Sequence, residues 1–205
     1  MVPTTSFWAG RVRARRSQRG AVLVEAALVL PVMILIVVGI LEFGLLFTTY
    51  STTTASTRSG ARLAATSYAQ AGTVASAQNI ALEQISLATA ADLEVLNNGT
   101  PVGMAVYKVN PSSTDGSPYG GFPGPNMAGG CTSECIRYSY NPGTQTFTKV
   151  SGSWLSPDAC GTTVDSIGVF VQSEHDYITG FFGQTRSVDG HTVMRLEPLP
   201  NDQCG

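Results

Sequence analysis

The sequence predicts an α+β fold, in which a long N-terminal membrane helix extends beyond the bilayer and is followed by a second helix and a small, mostly antiparallel sheet. Val, Leu, Ile, Ala and Phe dominate residues 21–47, and residues 73–96 carry apolar side chains at helical spacing. Residues 100–205 hold short β-branched or aromatic runs separated by turn residues. We therefore divide the chain into a basic leader arm (1–20), a transmembrane helix (21–47), a helical stalk with the second helix (48–99) and an exported β-rich domain with disulfides (100–205).

The N-terminal arm predicts the orientation of the chain. Its charged residues before Gly20 are all arginine, and basic flanks of a membrane span stay on the cytoplasmic side. We therefore expect a single-pass cytoplasmic (inner) membrane protein with an extracytoplasmic C-terminal domain. Residues 48–205 hold seven basic and twelve acidic side chains, a net charge of −5, so neither nucleic acid nor anionic lipid is expected to bind them. The arginines of the arm are Arg11, Arg13, Arg15, Arg16 and Arg19.

The apolar segment is long enough to cross a bilayer. At a rise of about 1.5 Å per residue, residues 21–47 reach roughly 40 Å, against a hydrocarbon core of ~30 Å. A cleavable secretory signal fits poorly, because its apolar region is only ~7–15 residues long. A plain signal anchor explains everything except Glu25, a carboxylate whose burial costs on the order of 3 kcal/mol at the bilayer centre and less near an interface. Glu42 is the other charge in this segment.

Two helices are predicted before the sheet. The membrane helix continues to about Ser67, and Gly72 marks a break. The second helix runs from Thr73 to Leu96 and has one apolar face. We expect this face to pack against the sheet, and a contact within a filament is the alternative. The face consists of Val74, Ala77, Ile80, Ala81, Ile85, Ala88 and Leu96.

Five strands are predicted in the C-terminal half. Asn141-Pro142-Gly143 is typical of a hairpin turn between Tyr140 and Thr146. A Gly-, Pro- and Ser-rich stretch from Asn110 to Gly130 indicates a long loop. The predicted strands are Val102 to Val109, Ile136 to Tyr140, Thr144 to Val150, Ser166 to Gln172, and Thr192 to Leu196.

All four cysteines fall in the C-terminal domain. An even number in an exported domain predicts two disulfides, with three connectivities open. We favour Cys131 with Cys135 and Cys160 with Cys204, because the second bond would hold the C-terminal tail. Zinc is the competing interpretation, although a single C-x-x-x-C with remote cysteines matches structural zinc spacings poorly.

Catalytic motifs are weak. Successive side chains on a strand point to opposite faces, so Glu174-His175-Asp176 would not converge on one metal. No G-x-S-x-G nucleophile motif and no glycine-rich phosphate loop before a helix is present. We therefore expect a protein that is not an enzyme and that has no cofactor and no metal site.

One segment of the chain resembles a known family. Its acids, proline, glycines and arginines, in this order, resemble the TadE-like proteins of tight-adherence (Flp-type) pilus systems. The resemblance covers roughly residues 16–65. It rests on Arg19-Gly20, Val24-Glu25-Ala26-Ala27-Leu28-Val29-Leu30-Pro31, Gly39-Ile40-Leu41-Glu42-Phe43-Gly44, Ala55, Arg58 and Gly60-Ala61-Arg62.

The resemblance implies a pilin-like fold and a minor pilin or pseudopilin that acts in pilus assembly, cell adhesion or secretion. A prepilin peptidase would cut between Gly20 and Ala21 and leave Glu25 as the fifth residue. Glu25, Pro31 and Glu42 would serve assembly, and the implied partners are the peptidase, other pilins, and membrane proteins of the Tad assembly platform. The residue after the early acid is alanine, whereas major Flp-type pilins usually have an aromatic there, which argues against a major filament subunit.

Two other classes of function remain open. One is an uncleaved, membrane-anchored protein with an exported binding domain, as in TadG-like proteins. The other is an anchored hydrolase.

Overall fold

The structure is a computed structural model and describes residues 18–154, 156–160, 163–200, 202 and 204. Residues 1–17 of the predicted leader arm (1–20) therefore lie outside the described residues.

Two helices precede the strands. α1 spans Gln18–Ala71, and α2 spans Ala75–Leu93. Gly72 adopts a φ of 53°, a left-handed conformation that glycine reaches without a steric penalty, and it ends α1 where the sequence predicts a break. The strands are β1 (Gly99–Lys108), β2 (Cys135–Asn141), β3 (Thr146–Ser153), β4 (Ser166–Asp176) and β5 (Thr185–Arg195), with a short 3₁₀ turn at Pro125–Met127 between β1 and β2.

The strands form one sheet in the order β3-β2-β1-β4-β5, and all neighbours are antiparallel. Helices and an antiparallel sheet that follow each other along the chain confirm the predicted α+β class. Asn141 pairs with Thr146 across the predicted hairpin turn. β5 begins at Thr185 rather than at Thr192, and β4 continues to Asp176, so both strands are longer than their apolar runs.

The chain divides into two compact units, and the boundary between them lies within α1. The first unit reaches as far as Leu41, and the second begins at Glu42. Within the second unit, the helices cover one face of the sheet, and the segment between β1 and β2 covers the other.

Small residues on α1 form the helix side of the main core. Ala61 and Ala64 are fully buried, and a Cβ at Gly60 would collide with the hydroxyl of Thr89 on α2. Further along α1, the Tyr68 hydroxyl donates a hydrogen bond to the backbone carbonyl of Trp154, and the two rings lie 5.1 Å apart. These contacts let α1 lie close to α2 and to the sheet.

The predicted long loop covers the other face of the sheet. Phe122 stacks on Phe170 of β4, with ring centroids 5.5 Å apart. The Arg137 guanidinium donates to the carbonyl of Met127 at 2.7 Å, and the Gln172 side chain accepts from the Met127 amide at 3.0 Å. Both faces of the sheet are therefore occupied.

Three tyrosines are buried in these cores. Burial raises the pKa of Tyr68, Tyr107 and Tyr138 far above the ordinary value, because a phenolate loses its hydration there.

The prediction of which α2 residues face the core is partly wrong. Ala81 and Ile85 are buried as expected, but Val74 and Ile80 are 58% and 59% exposed. The packed face is instead the one that carries Thr89, which lies against Gly60 of α1, and it includes the three polar residues Gln78, Ser86 and Thr89. The buried residues of α2 are Gln78, Ala81, Leu82, Ile85, Ser86, Thr89, Ala90 and Leu93.

Candidate membrane-anchoring and assembly site

The apolar half of α1 is exposed. From Gly20 to Leu41 every residue is exposed or half-buried, and the most apolar window has a mean hydropathy of 2.9 with none of it buried. Among the described residues, α1 is the one helix long and apolar enough to cross a membrane. Apolar side chains of this size are normally buried, so this segment needs lipid or another apolar helix around it. The chain thus has the features of a single-pass membrane protein.

The predicted processing site and the first acid share this segment. Gly20, Ala21, Glu25 and Pro31 all lie exposed on α1. Glu25 follows Ala21 by four residues, which is about 6 Å along the helix axis and on the same face. A positive charge at Ala21 would therefore lie one turn from the Glu25 carboxylate, both on the exposed surface of the helix. Their roles in processing and assembly stay predictions.

Glu42 lies in a different environment from Glu25. Its side chain is turned inward, and the residue is only 2% exposed. The carboxylate accepts hydrogen bonds from the Thr179 amide at 2.6 Å, from the Thr179 hydroxyl at 2.7 Å and from the Ile178 amide at 3.2 Å. Glu42 therefore holds the connection between β4 and β5 against α1. Its predicted role in assembly is not tested by this internal contact, and the contact itself is not evident from the sequence.

A row of hydroxyl groups joins α1 to the sheet, and we call it the hydroxyl ladder. Thr49 pairs with Nδ1 of His175 at 2.9 Å, and Thr53 donates to Ser173 Oγ at 3.1 Å. Four helical residues advance about 6 Å and two strand residues about 6.6 Å, so successive threonines meet alternate residues of β4. The third step joins Thr57 to Thr192 of β5 at 2.9 Å.

The sequence contains a signal for this ladder. Residues 49, 53 and 57 are all threonine at i, i+4 spacing, which places them on one face of a helix. Sequence reasoning assigned the stretch to a polar helix and did not foresee its partners on the sheet.

Comparison with known protein families locates a match in this helix. Residues 20–62 match the TadE-like protein family. No curated protein and no solved structure matches the chain.

The TadE-like match contains both acids of α1 and the helical side of the hydroxyl ladder. It ends within α1, so α2 and the sheet lie outside it. The matched region thus begins at the predicted processing site and extends through the exposed apolar segment into the part of α1 that contacts the sheet.

Two disulfides stabilise the sheet domain. Cys131 pairs with Cys135, and Cys160 pairs with Cys204, with Cα atoms 5.7 and 5.8 Å apart. This is the connectivity favoured from the sequence. The second bond holds the C-terminal tail, whose Leu199 amide also donates to a backbone carbonyl 2.9 Å away.

His175, the histidine of Glu174-His175-Asp176, is packed inside the protein. His175 is fully buried beneath α1, and its ring meets that of Tyr177 edge-on, with centroids 5.1 Å apart. Asp176, the next residue on the strand, is exposed. Within the described ranges, no three His, Cys, Asp or Glu side chains are grouped so that they could hold a metal ion.

Proposed function

We propose that this chain is a TadE-like minor pilin or pseudopilin that takes part in the assembly of a tight-adherence (Flp-type) pilus. The observation that carries the proposal is the TadE-like match over residues 20–62. In this proposal a prepilin peptidase cuts between Gly20 and Ala21 on the cytoplasmic side, and the sheet domain is extracytoplasmic. The partners are the peptidase, other pilins, and membrane proteins of the assembly platform.

The exposed half of α1 supports an assembly role. It is apolar and can exchange lipid for the helices of other subunits. Gly39 and Gly44 have no side chain and nothing covers them within the chain, so another helix could approach closely there. We propose a non-catalytic role, in which this surface carries the function.

Glu25 supplies a specific contact for assembly. Cleavage would create an α-amino group at Ala21, which is a cation beside the membrane. A carboxylate from a neighbouring subunit would neutralise it and compensate two charges that are each unfavourable in an apolar bundle. Because Glu25 is exposed, it is available to a neighbour without rearrangement of the fold.

Processing is tested by the intact mass and N-terminal sequence of the protein from its native membranes. We expect a chain that begins at Ala21. Gly20→Val should block the cut, whereas Gly39→Val in the same helix should not; a Cβ at either position meets nothing within 4 Å outside the local helix backbone. A wild-type chain that retains its arginine arm would contradict the proposal and favour an uncleaved anchored binding protein.

The role of Glu25 is tested by two substitutions. Glu25→Gln keeps the shape and removes the charge, so we expect surface piliation and co-purification with other pilins to be lost. Glu25→Asp keeps the charge and should retain part of both. Normal piliation by the glutamine variant would show that charge compensation at this position is not needed.

A further inference from the structure

The connection between β4 and β5 exposes an unusual set of side chains. We call Tyr177–Gln184 the aromatic loop. Within these eight residues, Phe181 is 76% exposed, Ile178 is 66% exposed and Phe182 is 48% exposed. Single exposed apolar residues are common, but a cluster of three at one loop tip indicates a contact surface.

The aromatic loop continues the apolar surface of α1. The ring of Phe182 lies 5.2 Å from that of Phe43, and 6.2 Å from that of Tyr177. Phe43 and Phe47 on α1 are themselves 56% and 69% exposed. The exposed aromatic side chains of the loop and of this part of α1 therefore form one surface.

Part of the backbone of the loop has internal hydrogen-bond partners. Glu42 accepts hydrogen bonds from the amides of Ile178 and Thr179, and from the Thr179 hydroxyl. The Tyr177 amide donates to the carbonyl of Gln184 at 3.0 Å. A polar backbone group without a partner is costly where water is scarce, so these bonds suit the loop to a lipid environment.

The position of Phe43 along the chain indicates where this surface lies. If Glu25 is near one interface, the ~20 helical residues that cross a hydrocarbon core end close to residue 45. Phe43 and the loop beside it are then at the opposite interface, where aromatic side chains are enriched in membrane proteins.

From these contacts we propose that the aromatic loop inserts into the bilayer interface at the C-terminal end of the membrane span. The occupant of this surface is lipid, held by apolar burial and not by charge, so a zwitterionic bilayer is sufficient. The proposal rests on membrane anchoring by α1 and not on processing or pilus assembly, and the two can fail independently.

The test places a fluorescent probe in the loop of the full chain in phosphatidylcholine nanodiscs. Phe181→Trp reports on the loop, and Val150→Trp is the matched control, since Val150 is 66% exposed on the edge strand β3. Both are made with Trp8→Phe, and the signal of Trp154 is subtracted with the parent chain. We expect lipids brominated near the headgroup to quench the loop probe several-fold more than the control, and aqueous iodide to quench it less.

Two results would overturn the proposal. One is equal quenching of the loop and control probes by brominated lipid. The other is a blue-shifted loop probe that brominated lipid does not quench and whose shift grows with the protein-to-lipid ratio, because that result would place a second copy of the chain on the surface.

Discussion

The hydroxyl ladder makes a quantitative prediction at its middle step. Thr53 and Ser173 are both fully buried, and the Thr53 hydroxyl donates to the Ser173 hydroxyl at 3.1 Å. Thr53→Val keeps the shape of the side chain and has a similar helix propensity, but it removes the donor. The Ser173 hydroxyl is then left without this partner in a buried site.

The expected decrease in the free energy of unfolding is set by the buried hydroxyl that loses its partner. An unsatisfied buried hydroxyl costs about 1–3 kcal/mol, so we expect Thr53→Val and Ser173→Ala each to destabilise the chain by about 2 kcal/mol. For a unit of this size, about 2 kcal/mol corresponds to a fall in Tm of roughly 4–8 °C. The double variant has no orphaned hydroxyl, so its loss should be smaller than the sum by about 2 kcal/mol.

The assay is thermal and urea unfolding of the full chain carrying Trp8→Phe in mild detergent, followed by the fluorescence of Trp154, which is buried in the main core. Thr48→Val is the control, because Thr48 is an exposed threonine on the same helix. We expect a change below about 0.5 kcal/mol there. Unchanged stability of Thr53→Val, or strict additivity in the double variant, would refute the view that hydroxyl pairing holds α1 to the sheet.

Two further predictions use the same assay, and a third uses tyrosinate absorbance. Gly168→Ala should cost about 1–3 kcal/mol by overpacking, because its Cβ would lie 2.5 Å from the hydroxyl oxygen of Tyr107 and nearer still to the ring, and an unchanged Tm would contradict this. Replacing Cys160 and Cys204 by serine opens a loop of 44 residues and should lower the free energy of unfolding by about 4 kcal/mol on the chain-entropy model. A decrease as small as that caused by opening the four-residue loop of the other disulfide would contradict this. The raised pKa values of the three buried tyrosines predict a loss of stability at high pH. Stability is unaffected below the ordinary pKa of about 10, where the phenols are neutral in both states, and it falls as the pH rises toward the folded values because the unfolded chain ionises first. Their tyrosinate absorbance should therefore appear together with unfolding, and ionisation of all tyrosines near pH 10 in a folded chain would disprove it.

The sequence predicts those parts of the fold that are determined by residues close together in the chain. The apolar segment of α1, the break at Gly72 and the hairpin turn at Asn141–Gly143 all follow from residues close together in the chain. β4 and β5 were predicted too short, because their outer residues are polar. Those residues become strand through pairing, as where His175 faces Arg186.

Long-range contacts account for what the sequence did not reveal. The face of α2 depends on the close approach of Gly60 to Thr89, and the position of Glu42 depends on amides more than 130 residues away. No periodicity within a single helix contains that information. The sequence shows Glu25 and Glu42 as the two charges of the apolar segment, and only the structure separates the exposed Glu25 from the internally bound Glu42.

The loop on the second face of the sheet limits how subunits could associate. Because Phe122 and its neighbours occupy that face, stacking two copies sheet against sheet would require them to be displaced. In the part of the chain that the structure describes, β3 and β5 are the edges of the sheet, where backbone groups remain open. A partner that joins the sheet by backbone pairing would therefore have to add a strand beside β3 or β5.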